Sequence, residues 1–429
     1  MNYRGAVTRS SVMWKSLFSV VTTLIVAGPA VAAGEANSHY AAWENGPQKS
    51  EDFFPIAVWL QSPGNAPRYK AIGINLYVGL WSGPTQAQID ELKKYHMPVI
   101  CGFNRYARQH LDEKIIVGWM HGDEPDNAQS LGRGKGYGPP IAPEKIVEDY
   151  KKIRSQDPTR PVLLNLGQGV AWDGWHGRGV RTNHSEDYRQ YVQGGDIVSF
   201  DIYPAVHDKP AVAGKLWYVP QGVDRLRQWT EGKRTIWNCI ECTHIGNAQV
   251  KPTPRQVKAE VWMSLIHGST GLIYFSHQFQ PRFIEAGLLA DKEMAAAVGR
   301  INRQIHELAP VLNSPAVEQA VAVETDPAEV TADSTRSLPM APVATMVKRH
   351  GSATYLFAVR MEDKPAKATF RLTDLSGAAA IEVLGEQRTL SAEKGCFTDN
   401  FAPYEVHLYR LGHDQAAVVV QQDQLPAGD

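Results

Sequence analysis

IIVGWMHGDEPDN, residues 115–127, starts as an apolar, β-branched run and ends on a knot of acids closed by Pro125. Ile115, Ile116 and Val117 read as a strand buried on both faces, the kind found in parallel sheets. Asp123 and Glu124 then stand where such a strand would surface. One acid at a strand end means little. The reading therefore depends on how many similar runs the chain contains and what ends each of them.

Seven further runs match it: 54–61, 72–80, 98–104, 161–167, 196–203, 234–243 and 271–279. With 115–124 they make eight strands, most bounded by Gly, Pro, Asn or Asp. Helical patterns fill the gaps. Thr85 with Gln88, and Thr253-Pro254 with Gln256, have the form of capping boxes, and Ile146, Val147, Tyr150 and Ile153 share one helical face. Ile301, Ile305 and Leu308 mark the last helix, over 300–312. Eight strand-then-helix units in about 260 residues predict a (β/α)8 TIM barrel, with 33–312 as its domain. A doubly wound sheet would more often show a Gly-rich phosphate turn after its first strand, and Gln61-Ser62-Pro63-Gly64 is not one.

Beyond Pro315 short alternating segments take over: 316–323, 343–348, 353–360, 367–372, 380–384 and 404–411. They predict a C-terminal antiparallel β-sandwich over 313–412, with 329–340 a polar loop and 413–429 a tail.

Composition narrows the function. The chain has 429 residues, 43% hydrophobic and 21% charged, with a net charge of −1. That balance offers no electrostatic case for a nucleic-acid or anionic-membrane partner. At the N-terminus Arg4, Arg9 and Lys15 precede an apolar stretch from Leu17 to about Ala27, followed by Ala30-Val31-Ala32. This order predicts a signal peptide over 1–32, export to the periplasm or beyond, and no membrane association after cleavage. Cys239 and Cys242 resemble a redox or metal pair. In a strand, however, residues three apart lie about 10 Å apart, beyond disulfide reach, so buried free thiols are expected.

The active site of a (β/α)8 barrel lies at the C-terminal ends of its strands. The residues expected there are Gln61, Trp81, Asn104, Asp123, Glu124, Asn165, Gln168, Asp201, Tyr203, Glu241, His277 and Gln278. Acids, amides and aromatics with almost no Lys or Arg suit a sugar: polar groups for hydroxyls, ring faces for C–H surfaces. Trp172 and Trp175, in a segment too Gly-rich for a helix, and Trp237 are further candidate platforms.

Carboxylates ending strands four and seven resemble the layout of clan A glycoside hydrolases. "GDEP" at 122–125 is similar to that clan's Asn-Glu-Pro, with Asp123 in place of Asn. "WNCIECT" at 237–243 is similar to its strand-seven Glu segment, "DIYP" at 201–204 to its strand-six Tyr segment, and "FTDNFAPYEVHLYRL" at 397–411 to closing strands of the sandwich. The Trp that commonly closes strand eight is absent; Phe279 or His277 stands there. The resemblance implies a retaining glycoside hydrolase acting on a poly- or oligosaccharide without a cofactor or metal. Glu124 would be the acid/base and Glu241 the nucleophile, about 5–5.5 Å apart, with Tyr203 bonding Glu241. Two alternatives are a metal-dependent hydrolase using His121, Asp123, His244 and His277, and a non-catalytic carbohydrate-binding barrel. His121 has no partner His two or four residues on, which favours a hydrogen bond to Asp123 or Glu124.

Overall fold

The computed structural model describes residues 39–326, 340–373, 375 and 377–412. The expected signal peptide, most of the expected loop at 329–340 and the tail lie outside the described residues. Parallel strands run in order: β1 (Ile56–Trp59), β2 (Leu76–Val78), β3 (Val99–Gly102), β4 (Ile116–Met120), β5 (Val162–Leu166), β6 (Ile197–Phe200), β7 (Thr235–Ile236), β8 (Asn238–Glu241) and β9 (Leu272–Phe275). β7 and β8 are one segment interrupted at Trp237. β7 pairs with β6, and β8 pairs with β9, which pairs with β1. The nine pieces thus close a ring of eight, the expected (β/α)8 barrel.

Around it lie α1 (Ala66–Ala71), α2 (Gln86–Lys94), α3 (Arg105–Gln109), α4 (Pro143–Gln156), α5 (Tyr188–Tyr191), α6 (Tyr218–Trp229), α7 (Pro254–Ile266), α8 (Gly287–Ala290), α9 (Lys292–Glu307) and α10 (Ala309–Asn313). Both expected capping boxes form, at Thr85 and Thr253. Their side chains satisfy amides that the first helical turn leaves without partners.

Alternation sorts the strands' side chains. Ala57, Trp59, Val78, Ile100, Leu163, Ile197, Cys239 and Ile273 fill the barrel interior, while Val58, Leu164, Val198, Ile240 and Leu272 face the helices. Trp237 belongs to the interior and is fully buried; its indole N–H donates to the Tyr40 hydroxyl (3.0 Å), which donates to the Thr270 carbonyl (3.1 Å). This corrects its expected place at the sugar-binding mouth: Trp237 precedes the last four residues of its strand and packs low in the barrel. Cys239 and Cys242 are buried and free, on opposite faces.

Two antiparallel sheets follow. β10 (Val321–Asp326), β13 (Ala366–Leu372) and β16 (Cys396–Phe401) form one; β11 (Val343–His350), β12 (Ala353–Arg360), β17 (Val406–Gly412), β14 (Ala379–Val383) and β15 (Arg388–Ala392) form the other. The expected strand at 316–323 lies later, at 321–326. β15 was not expected: RTLSA has one strong apolar residue, Leu390, and owes its conformation to pairing with β14. The sandwich rests on α7, where Trp262 meets Phe357 with ring centroids 5.2 Å apart. α7 is therefore buried on both sides.

Candidate active site

β4 ends at Met120, and the chain then turns through Gly122 and Asp123 to Glu124, whose φ is +42°. Left-handed backbone is unfavourable for a residue with a side chain. Neighbours on an extended strand point to opposite faces. The twist at Glu124 instead brings two consecutive carboxyls into one space, and both lie close to Asp201, just beyond β6.

Each acid of this trio has a different setting. Glu124 is pushed well above its ordinary pKa by burial, then by the charges of Asp201 and Asp123. Asp201 rises to about 7, through burial first and Asp123 second. Asp123 exposes more of its surface as a residue, but its carboxyl is drawn inward. Desolvation raises it to about 6, against a hydrogen bond from the Asn165 amide N–H (2.9 Å) that favours the ionised form. Asn165 is in turn held by the Ser199 hydroxyl, 2.8 Å from its Oδ1. The Tyr203 hydroxyl and Oδ1 of Asp201 are buried with no well-formed hydrogen bond.

Beneath the trio lies a rigid support. Asp126 is fully buried and accepts from the Gly167 amide (2.9 Å) and the Tyr188 hydroxyl (2.7 Å). Gly167 leaves room for both side chains where they stand: a Cβ there would lie 2.8 Å from Glu124 Oε1 and 2.8 Å from Asn127 Nδ2, so a larger residue would displace the ends of Glu124 and Asn127. Asn127 accepts from the Trp175 indole (2.8 Å), which tethers this ring three residues beyond Glu124. Trp172 sits beside Trp175, centroids 6.0 Å apart. Trp175, Tyr203, His176 and His207 line a mouth cavity of about 280 Å³.

On the opposite rim Trp81 is 44% exposed and donates to Glu285 (2.8 Å), its ring 5.4 Å from that of His277. An aromatic belt runs from Tyr203 through Phe275 to Phe279, and on to Phe283. Phe279 and Phe283 are exposed by 45% and 54%. Phe283 was missed in the sequence because it lies in a loop, with no strand end to mark it. His277 itself is buried, with Nε2 3.0 Å from the Leu60 carbonyl. Asn104 is spent on structure: it caps α3 by accepting from Ala107 (3.0 Å) and donates to Pro84 (2.8 Å).

Glu241 is the main departure. It is fully buried, and its two oxygens accept from the amides of Ala205 (2.6 Å) and Val206 (3.1 Å). Its titrating partner is Glu260 on α7, outside the barrel, and neither Glu124 nor Tyr203 contributes to its shift to about 7. The expected bond from Tyr203 is absent: its hydroxyl has no hydrogen-bond partner among the described residues, and the Glu241 oxygens are taken by the two backbone amides. Strand position alone did not reveal that the Glu241 carboxyl turns out toward α7, where it ties down the loop after β6. The partner of Glu124 is Asp201, which sequence reasoning had assigned only to substrate contact.

Glu241 and Glu260 both titrate above their usual range through burial, Glu241 from 4.5 to about 7. Acids raised on folding add stability that is fully present below about pH 4.5 and is lost as pH rises through 7. Glu260→Gln removes the titration of Glu260 itself, which burial and the Glu241 charge hold well above its usual range, and leaves Glu241, raised mainly by burial, to contribute the remainder of the alkaline loss. Thermal melts from pH 5 to 9 would show a flatter profile for the variant; parallel profiles would rule the pair out as the cause.

The histidines of the metal-hydrolase alternative do not converge. His121 lies 2.8 Å from the Gly194 carbonyl rather than on an acid, His244 on the carbonyls of Asn247 and Val250, and His277 on Leu60.

No protein-family model matches the chain, and no curated protein sequence is similar to it. Solved structures do resemble its fold. A putative alpha-galactosidase from Bacteroides fragilis superposes with a TM-score of 0.51 at 10% identity, over 85% of this chain and 80% of that one. A putative alpha-galactosidase/melibiase from the same organism gives 0.50 at 8%, over 84% and 79%. An alpha-amylase from Geobacillus thermoleovorans complexed with acarbose gives 0.49 at 10%, over 86% and 100%. At such identities the likeness concerns the fold, a barrel followed by β-sheets.

Proposed function

We propose that the protein is a retaining glycoside hydrolase acting on a poly- or oligosaccharide, with Glu124 as general acid/base and Asp123 as nucleophile. One observation carries the reading. Three carboxyls from β4 and β6 meet at the mouth of the barrel, and no Arg or Lys is among the groups that shift them. Such acids cannot all ionise together, so one keeps a proton at neutral pH. Glu124, raised furthest, holds it and shares it with Asp201. Asp123, lowest of the three and bonded by Asn165, is the one that ionises.

In the first step Asp123 forms an ester bond to the anomeric carbon as the glycosidic C–O bond breaks. Glu124 gives its proton to the departing oxygen, which leaves as an alcohol. Water then attacks the same carbon, Glu124 takes the water's proton, and the ester bond breaks to restore Asp123. Inversion would need the two carboxyls about 6.5–9.5 Å apart, with water between them; consecutive residues that perturb each other's titration support the closer arrangement. The tethered Trp175 and the exposed Phe279 and Phe283 offer flat apolar faces of the kind that pyranose rings require.

Incubation with a panel of neutral polysaccharides, with reducing ends and product sizes followed, tests the activity; absence of hydrolysis across α- and β-linked glycans would refute it. Proton NMR of the first-formed anomer tests retention. The pH profile is expected to be a bell. Activity falls on the acid side near pH 6 as Asp123 takes up a proton, and on the alkaline side as Glu124 loses its own.

A further inference from the structure

At the other end of the barrel, where the strands begin, a cavity of about 530 Å³ lies between the strand-entry loops and the sandwich. Lys348 of β11 reaches into its wall and is only 8% exposed. Its ammonium donates to two backbone carbonyls, Leu312 (2.9 Å) and Ser314. Arg227 of α6 also lines the cavity, held by the His267 carbonyl (2.9 Å). Arg234 lines it too, 3.7 Å from Asp196. Among the described residues no carboxylate pairs with Lys348 or Arg227. Glu318, the one acid in the lining, is exposed at the rim.

A buried ammonium held only by neutral carbonyls is costly, because nothing repays the loss of its hydration. The cost grows when a guanidinium lies near enough to repel it, as Arg227 does here. Burial and this repulsion bring Lys348 down to about 8, and the same ammonium, after desolvation, lowers His39 at the cavity wall. Carbonyl anchors nonetheless fix both cations in place. Fixed, uncompensated positive charges around a cavity large enough for a small molecule are the complement of an anion.

We infer that this cavity binds a small oxyanion, phosphate-like in charge and shape, through Lys348 and Arg227. The site faces away from the acids of the mouth and does not depend on the proposed hydrolase activity. It would clamp the barrel floor to the first strands of the sandwich, since Arg227 and Lys348 belong to different layers.

Thermal melts of the full chain with increasing inorganic phosphate test it, with sodium chloride holding the ionic strength constant. The midpoint is expected to rise and saturate, and sulfate to act likewise. Lys348→Met should lose at least 10-fold in apparent phosphate affinity; should it fail to fold, Arg227→Gln, at a more exposed position, should show the same loss. A rise that does not saturate, or one that both variants keep in full, would overturn the assignment.

Discussion

Glu124→Gln should lower kcat/KM about 10²–10⁴-fold on a substrate whose leaving group needs a proton. Gln keeps the shape of the side chain and so the contact with Gly167, but it cannot donate an acidic proton. The loss should nearly vanish in the first step for aryl glycosides with acidic phenols, which depart unaided. With the titrating proton donor gone, the alkaline limb of the profile should disappear. Equal losses on activated and unactivated substrates would mean that Glu124 positions the substrate instead of protonating it.

The larger effect belongs to Asp123→Ala, expected to abolish turnover to within the background of uncatalysed hydrolysis. Azide supplied in its place should restore cleavage of an activated glycoside and yield a glycosyl azide of inverted configuration, because the small nucleophile enters where the carboxylate stood. Glu241→Ala provides the contrast. It should destabilise the loop that starts at Ala205 and reduce activity through Tyr203, yet azide should not rescue it. Rescue of the Glu241 variant and not of the Asp123 variant would return the nucleophile to β8.

The barrel was legible because eight apolar runs with capped helices between them are a repeated signal, and repetition outweighs ambiguity in any single run. The mouth was legible as a set of strand-terminal residues, and Asp123, Glu124, Asn165, Asp201 and Tyr203 do come together there. Their partnerships were not legible. Strand alternation places Glu241, opposite Phe275, on the inner face, and only the amides of Ala205 and Val206 draw it outward. The twist at Glu124 leaves no mark in the sequence, since Glu is not a residue that advertises positive φ. Trp237 misled for a similar reason: composition says that an aromatic is present, whereas its height along the barrel axis follows from the register of β7 and β8.

That twist also sets what laboratory evolution would do to this protein. A backbone held at φ +42° by a residue with a Cβ costs about 1 kcal/mol or more, which Gly would recover. Survival at high temperature and turnover therefore pull position 124 in opposite directions. A library screened only for heat resistance would drift toward Gly or Asn there and return a sturdier, inert barrel, whereas a library screened for turnover would keep the less stable Glu.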